Sequence, residues 1–533
     1  MWTPLVITQT IGIPDFLVYL IVIAVTAYIY GTWTFNYYKG TGLKGPKPWP
    51  FIGNMPQLAS LGLAIDEQFV KEYGKVFTFF FGRMPSCVVA DPELIRDICV
   101  KEFPHFVNRN TEGFVFDDIM EHAVSVVKDQ QWKSLRSVIS PTFSSGKLKK
   151  MLPLILDCSK TFVDNLSMFE KAGKDFEIKA VCGNYTMDVI ASTAFAVKVE
   201  SRMDEKGELD DANEFVKHAR NIMNGFSFDD PKMAIVLAIP RLGPLFEKMG
   251  WSLFDPEAMA FFKKNIYHIL EMRQDMKNPP VDFLQLMLEA HKLEDEDKDN
   301  SDRKISIHAD TTDEHAHTWN VGKRAMTKKE ILSNAFIFFI AGYETTAATL
   351  GWCFYLLALH EDVQDRLREE IDDTLERTKG EITYDAIASM TYLDQCVNET
   401  LRMYPPAART DRRCSADTTV GNLHFKKDEL VGISIWGVHY NEEFWPEPKK
   451  FDPDRFAPEN KANIVNYSFL PFGIGPRNCV GMRLAYLEAK VGVIQALRNF
   501  KIKRCEKTEV PIQLKVTSMT NAKNGIWVHA ERR

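Results

Sequence analysis

The chain has 533 residues, 45% of them apolar and 26% charged, a balance ordinary for a folded enzyme with a sizeable core. Its net charge of −7 and pI near 6.0 argue against nucleic-acid binding and confine any basic docking face to a local patch. Nine cysteines, an odd number with no Cys-x-x-Cys pair, suggest neither a disulfide framework nor a zinc site and point to a reducing compartment.

From Phe16 to Tyr30 the chain is uninterruptedly apolar or weakly polar, and Gly31 to Phe35 extends the run to about the 20 residues that a bilayer crossing needs. Asp15 precedes the run and Lys39, Lys44 and Lys47 follow it, so the positive-inside rule puts the bulk of the protein in the cytosol. A cleaved signal peptide is the competing reading. The n-region lacks Lys and Arg, however, and the apolar run is long for an h-region, which favours an uncleaved anchor over 1–38. Residues 39–54, dense in proline from Pro46 to Pro50, can be neither helix nor central strand and read as a stiff spacer. The remainder, 55–533, reads as one catalytic domain, mainly α with small β-sheets. Val76 to Phe81 and Cys87 to Ala90, around Gly82-Arg83-Met84-Pro85, predict a hairpin, and helical periodicity then dominates to about Arg409.

Residues 293–326 read as a flexible insertion: acidic from Glu294 to Asp302, carrying His308, His315 and His317, with little apolar pattern. The three histidines have no metal-ligand spacing on a defined element. Thr327-Lys328-Lys329-Glu330 is a capping box opening a long apolar helix at Ile331. The apolar run from Met233 to Pro240 is a core helix by default, with membrane dipping as the alternative.

Four patterns carry chemistry. Trp132-Lys133-Ser134-Leu135-Arg136 places an aromatic ring and a guanidinium one helical turn apart. Ala341-Gly342-Tyr343-Glu344-Thr345-Thr346 puts an acid beside a hydroxyl inside the long helix. There Thr345 can bond its own upstream carbonyl and loosen the ladder, and Gly342 leaves room for a close approach; a packing notch and structural threonines are the ordinary alternatives. Glu399 and Arg402 share a helix face, commonly no more than a surface pair, but Tyr404-Pro405-Pro406 breaks the helix at once and a proline-rich meander with Arg455 follows. The most telling stretch is Phe472-Gly473-Ile474-Gly475-Pro476-Arg477-Asn478-Cys479-Val480-Gly481. Two glycines let the backbone turn tightly around a sulfur at the start of a helix-forming run, where the helix dipole favours thiolate.

Taken together and in this order, the patterns resemble the cytochrome P-450 family, whose haem loop is Phe-x-x-Gly-x-Arg-x-Cys-x-Gly. Its microsomal branch, with the vertebrate 3A-type drug and steroid hydroxylases and thromboxane synthase, is the most similar, on Ser140 to Leu148 and Gly475 to Arg483. The resemblance implies the cytochrome P-450 fold behind one N-terminal transmembrane helix, and haem b with Cys479 as its axial iron ligand. It implies Arg109, Trp132, Arg136, Arg412 and Arg477 at the haem propionates, and Phe472 and Gly481 framing the sulfur. Glu344 and Thr345 take the acid and alcohol roles, while Glu399, Arg402 and Arg455 lock the meander. Ser125, Val126, Ile337, Ile340, Ala341, Ala407 and Ala408 would line a roomy apolar substrate pocket.

The implied activity is a haem-thiolate monooxygenase acting on a xenobiotic, steroid or fatty-acid-like molecule at the cytosolic face of the endoplasmic reticulum membrane. No strand leads into a G-x-G-x-x-G turn, so electrons would come from a separate NADPH-cytochrome P-450 reductase holding the NADPH and flavins, with cytochrome b5 as a further partner. Lys133, Lys147, Lys149 and Lys150 are a candidate docking patch, or an ordinary solvated face. The rival readings are a haem-thiolate isomerase of peroxides and a non-catalytic haem or ligand-binding protein.

Overall fold

The structure, a computed structural model, describes residues 15–111, 118–204, 214–224, 255–274, 282–296, 304–306, 318–320, 326–515 and 519–533, and a few isolated positions between 245 and 280. Helix α1, Asp15–Thr32, is apolar along its length and runs into a 3-10 turn at Trp33–Asn36. The span Phe16–Asn36 has mean hydropathy 1.9 and is only 6% buried, long and apolar enough for one bilayer crossing.

Strands β1, Val76–Phe81, and β2, Met84–Val89, form the expected hairpin with a tighter turn: Met84 and Pro85 belong to the second strand, opposite Phe81 and Phe80. The proline-dense segment before it is not a free spacer. It lies along the hairpin, with the Thr78 amide donating to the Lys44 carbonyl at 2.8 Å and the Phe80 amide donating to Asn54 Oδ1 at 2.8 Å. Proline cannot donate to a ladder, but its neighbours' carbonyls and a buried Asn side chain meet the edge instead.

Helices α2, Asp129–Ile139, α3, Ser145–Ala172, and α4, Ile178–Phe195, lead into the helical body. The segment expected to be flexible is partly ordered: a helix over Phe283–Glu296 carries the chain past Glu294, and Lys304–Ser306 pairs antiparallel with Thr318–Asn320. His308, His315, His317 and the run Met233 to Pro240 lie outside the described residues.

Helix α5, Lys328–Leu359, starts three residues earlier than the apolar run. Thr327 caps it: the Glu330 amide donates to Thr327 Oγ1 at 3.2 Å and the Thr327 amide to Glu330 Oε2 at 2.9 Å. Although apolar enough to span a membrane, α5 is 78% buried and forms the central core helix, packed across α4, itself buried nearly all round. Gly342 marks that crossing. A Cβ there would meet Ile190 of α4 at 2.8 Å, so this glycine is a packing notch at the crossing.

Helix α6, Thr391–Met403, precedes strand β3, Arg409–Arg413. Strand β4, Leu430–Ser434, then completes a sheet of order β1-β2-β4-β3, parallel to β2 and antiparallel to β3. After an irregular meander, helix α7, Met482–Asn499, closes the body.

Candidate active site

The turn before α7 builds one wall of a cavity of about 470 Å³. Gly473 and Gly475 adopt φ of +70° and +73°, which only glycine takes without cost. The Asn478 amide donates to the Gly475 carbonyl at 3.0 Å and the Cys479 amide to the Phe472 carbonyl at 2.9 Å. Gly475 is pressed so closely against the Cys99 carbonyl that a Cβ would collide with it. The result presents Cys479 to the cavity between Phe472 and Gly481, both of which also line it. Burial raises the Cys479 thiol above its ordinary pKa; the Gly481 N–H and the charges of Arg136 and Arg109 pull the other way without prevailing. A metal cation at the sulfur would remove the proton, since a coordinating thiol loses it outright.

Ala341, Gly342, Thr345 and Thr346 of α5 contribute to the same cavity. Thr345 Oγ1 donates to the Ala341 carbonyl at 2.7 Å, and Thr349 Oγ1 to the Thr345 carbonyl at 2.9 Å. Glu344 is not among the lining residues. Its Oε1 accepts from Lys179 Nζ at 2.6 Å and from Asn521 Nδ2 at 3.1 Å, so the acid and the alcohol point to different surroundings.

Arginines gather at one side. Arg109 donates to Thr410 Oγ1 at 2.7 Å, Arg136 to Asn478 Oδ1 at 2.8 Å, and Arg412 to its neighbour's carbonyl, that of Asp411, at 2.7 Å. Arg477 is spent on the carbonyls of Val107, Ser125 and Val127 and lies 4.6 Å from the Trp132 ring centre. Burial and the charges of Arg109 and Arg412 push Arg477 down to about 8; burial, with Arg109, pushes Arg136 to about 10. Guanidinium holds its proton in proteins, so these depressions express a shortage of anions. Among the described residues the Nε atoms of Arg136, Arg412 and Arg477 are buried without a partner.

A thiol that needs a cation, beside arginines that need anions, fits haem b, an iron macrocycle with two carboxylates. Arg109, Trp132, Arg136 and Arg477 line the cavity, whereas Arg412 is buried behind it.

Behind the sulfur wall, Glu399 and Arg402 form a fully buried bidentate pair at 2.7 and 2.8 Å. Arg402 also donates to the carbonyls of His439 and Pro448, and Arg455 Nε lies 3.3 Å from Glu399 Oε1. His439, to which no sequence pattern drew attention, donates from Nδ1 to the Arg402 carbonyl at 2.9 Å and accepts the Leu470 amide at 2.8 Å on Nε2. It thus joins the pair to the cysteine loop.

Of the expected pocket residues, Ser125, Ile337, Ala341 and Ala407 line the cavity; Val126, Ile340 and Ala408 do not. Ala408 is packed with Trp436 and Tyr440, and Ile340 is buried in the main core. Phe143, Phe283, Phe338, Ile190 and Ile435 line it instead, with Phe143 stacked on Phe283 at 4.4 Å. These residues come from elements distant in sequence, which no local pattern could bring together.

The family model for cytochrome P450 matches residues 43–528. Among relatives, cytochrome P450 3A41 of Mus musculus is 38% identical over 502 residues, 94% of this chain and 93% of its own. Cytochrome P450 3A2 of Rattus norvegicus is 39% identical over 500 residues, 93% and 92%, and cytochrome P450 3A6 of Oryctolagus cuniculus 38% over 492, 92% and 91%.

Proposed function

The chain belongs to the cytochrome P450 family as a haem-thiolate monooxygenase, and we propose that its substrates are lipophilic small molecules and that its electrons come from a separate NADPH-dependent flavoprotein. The balanced reaction is RH + O2 + 2 H⁺ + 2 e⁻ → ROH + H2O. Haem b, when bound, would supply the chemistry of dioxygen reduction and O–O cleavage, which thiolate ligation favours. The chain's own residues do the rest. Cys479 would hold the iron, and Arg109, Trp132, Arg136 and Arg477 would neutralise and orient the two carboxylates. Thr345, half-buried in the lining of the same cavity, would hold water and pass a proton.

The observation that carries the reading is one cavity lined both by the sulfur and the arginines and by Ala341, Ile337, Ile190 and Ile435. Such walls take up a ligand mainly by burying its apolar surface. With α1 in the membrane, substrate would partition from lipid and the body would sit on the cytosolic side of the endoplasmic reticulum. Cytochrome b5 is the further partner this reading expects. In the suggested docking patch, Lys149 is already paired with Asp385 at 2.8 Å, which leaves less free charge for a reductase.

A second reading, a haem-thiolate isomerase of peroxides, gains from the position of Glu344. Such a rearrangement needs no proton delivery, and this carboxylate is tied to Lys179 and Asn521 away from the cavity. The reduced carbon monoxide difference spectrum, with Cys479→Ala as control, tests the ligand: a red-shifted Soret band lost in the variant is expected. Turnover of a lipophilic substrate with NADPH and reductase then supports the monooxygenase; consumption of a lipid peroxide without either would support the isomerase.

A further inference from the structure

A run of tryptophans and tyrosines leads from the cavity wall toward the surface. Trp436 and Tyr440 stack with ring centres 4.5 Å apart and planes at 11°, and Trp352 and Tyr404 stack at 3.9 Å and 4°. Tyr404 packs against the first pair. Tyr355, one turn along α5 from Trp352, meets the Trp352 ring edge-on at 5.8 Å.

The two ends of the run differ. Ile435 and Ala407 line the cavity; Trp436 and Ala408 are the residues next to them, and the Trp436 amide donates to the Ala408 carbonyl at 3.0 Å. At the other end the Tyr355 hydroxyl, half-buried, donates to the Glu509 carbonyl at 3.0 Å, and Glu509 Oε2 accepts from Asn524 Nδ2 at 3.3 Å in an exposed contact. Burial raises the Tyr355 phenol above its ordinary pKa, and the charge of Glu509 adds to that rise. A carboxylate therefore stands near the phenol.

Packing alone does not call for these residue types. Phe143 on Phe283 and Phe169 on Phe176 make stacks from rings that fill similar space with no polar atom to satisfy. A buried indole or phenol wants a partner for its N–H or O–H, and Trp436 Nε1 is buried without one. Such a group lowers stability where a phenylalanine would not. Indoles and phenols differ from phenylalanine in one further way: they give up an electron far more readily.

We propose that Trp436, Tyr440, Tyr404, Trp352 and Tyr355 conduct single electrons from the surface to the cavity and so discharge activated oxygen that meets no substrate, a function that rests on haem b held by Cys479. The oxygen atom left in the cavity takes two electrons and two protons and leaves as water. Each electron comes from the ring nearest the cavity and is replaced ring by ring from Tyr355. Oxidised Tyr355 loses its phenolic proton to the Glu509 carboxylate or adjoining water and becomes a neutral radical. A low-molecular-weight thiol in solution then returns a hydrogen atom to it, and two such thiols join as a disulfide. The sum is O + 2 RSH → H2O + RSSR.

The test mixes the full-length, haem-loaded protein with a peracid in the absence of substrate and freezes it for electron paramagnetic resonance. Wild type should show an organic radical whose spectrum narrows when its tyrosines are ring-deuterated. Trp436→Phe/Tyr440→Phe, cut at the cavity end, should lose that signal, whereas Trp527→Phe/Tyr267→Phe, away from the run, should keep it. Trp352→Phe/Tyr355→Phe, cut at the surface end, should keep a radical but lose protection by thiol: glutathione should slow bleaching of the haem absorbance in wild type and not in this variant. A wild type without a radical, a signal unchanged in the cavity-end variant, or equal thiol protection in the surface-end variant overturns the conduit. The carbon monoxide difference spectrum of the same samples reports the haem reading separately. A red-shifted band without a radical overturns the conduit alone, and a wild type without that band overturns both.

Discussion

Lys179 of α4 donates to Glu344 of α5 across 2.6 Å, which joins the two helices of the central crossing and holds the α5 carboxylate away from the cavity. Both side chains are largely buried, Lys179 at 23% and Glu344 at 10% exposure, so each depends on the other for solvation. Lys179→Met should cost about 1–3 kcal/mol, and Glu344→Gln a similar amount. The double variant should recover part of the sum, because it leaves no unpaired buried charge. Thermal melts of the four proteins measure this. Strict additivity would mean that the pair contributes nothing as a pair.

Glu399→Gln should give a protein that takes up no haem. The neutral amide cannot accept both Arg402 bonds and removes the charge that Arg455 faces, so it strands a guanidinium with no exposure at all. Breaking a buried pair costs roughly 3–5 kcal/mol, a large share of the stability of a typical domain. Haem content by absorbance decides the matter: a haem-replete but inactive variant would move Glu399 from a structural to a chemical role.

Gly473→Ala and Gly475→Ala separate backbone strain from collision in the cysteine loop. Both residues have positive φ. A Cβ on Gly473 would find open space apart from Asn478 Cα at 3.9 Å, while one on Gly475 would strike the Cys99 carbonyl. Gly473→Ala should lose about 1–2 kcal/mol and still bind haem; Gly475→Ala should not bind it. Equal haem content in the two would show that Cys99 can yield.

The contrast between these glycines also shows what was legible in sequence. Local rules found the cysteine turn, the Thr327 cap and the Glu399–Arg402 pair, because each joins residues within about ten positions whose geometry the backbone dictates. They missed what depends on distant neighbours. Helical spacing put Glu344 next to Thr345, but Lys179 decides where its carboxylate points. The family resemblance likewise made Ile340 and Ala408 pocket residues, whereas core packing and Trp436 claim them. The proline-dense stretch was read as a spacer because composition reports what a segment cannot form, and is silent on the strand edge it will meet.

His439 shows the same limit and yields the last prediction. Wholly buried between the Arg402 carbonyl and the Leu470 amide, it is pushed down from 6.5 to about 3 by burial and by the charge of Arg402. The ring is therefore neutral in the fold, with its Nδ1 proton on the Arg402 carbonyl. In the unfolded chain it gains a proton as the pH falls below about 6.5. Since the unfolded state then binds more protons, the stability His439 contributes is complete above pH 6.5 and declines steadily toward pH 3. Asp188 has the opposite sign: burial raises it to about 6, so the folded state holds the extra proton between about pH 4 and 6. That contribution is common to wild type and variant and cancels between them. His439→Ala removes both hydrogen bonds and should cost about 2–4 kcal/mol at pH 7.5. The gap from wild type should shrink by about 2 kcal/mol at pH 5, the worth of 1.5 pKa units. Melts of both proteins at the two pH values measure it, and a gap that stays constant would mean that His439 is already protonated in the fold and joins Arg402 to the cysteine loop in some other way.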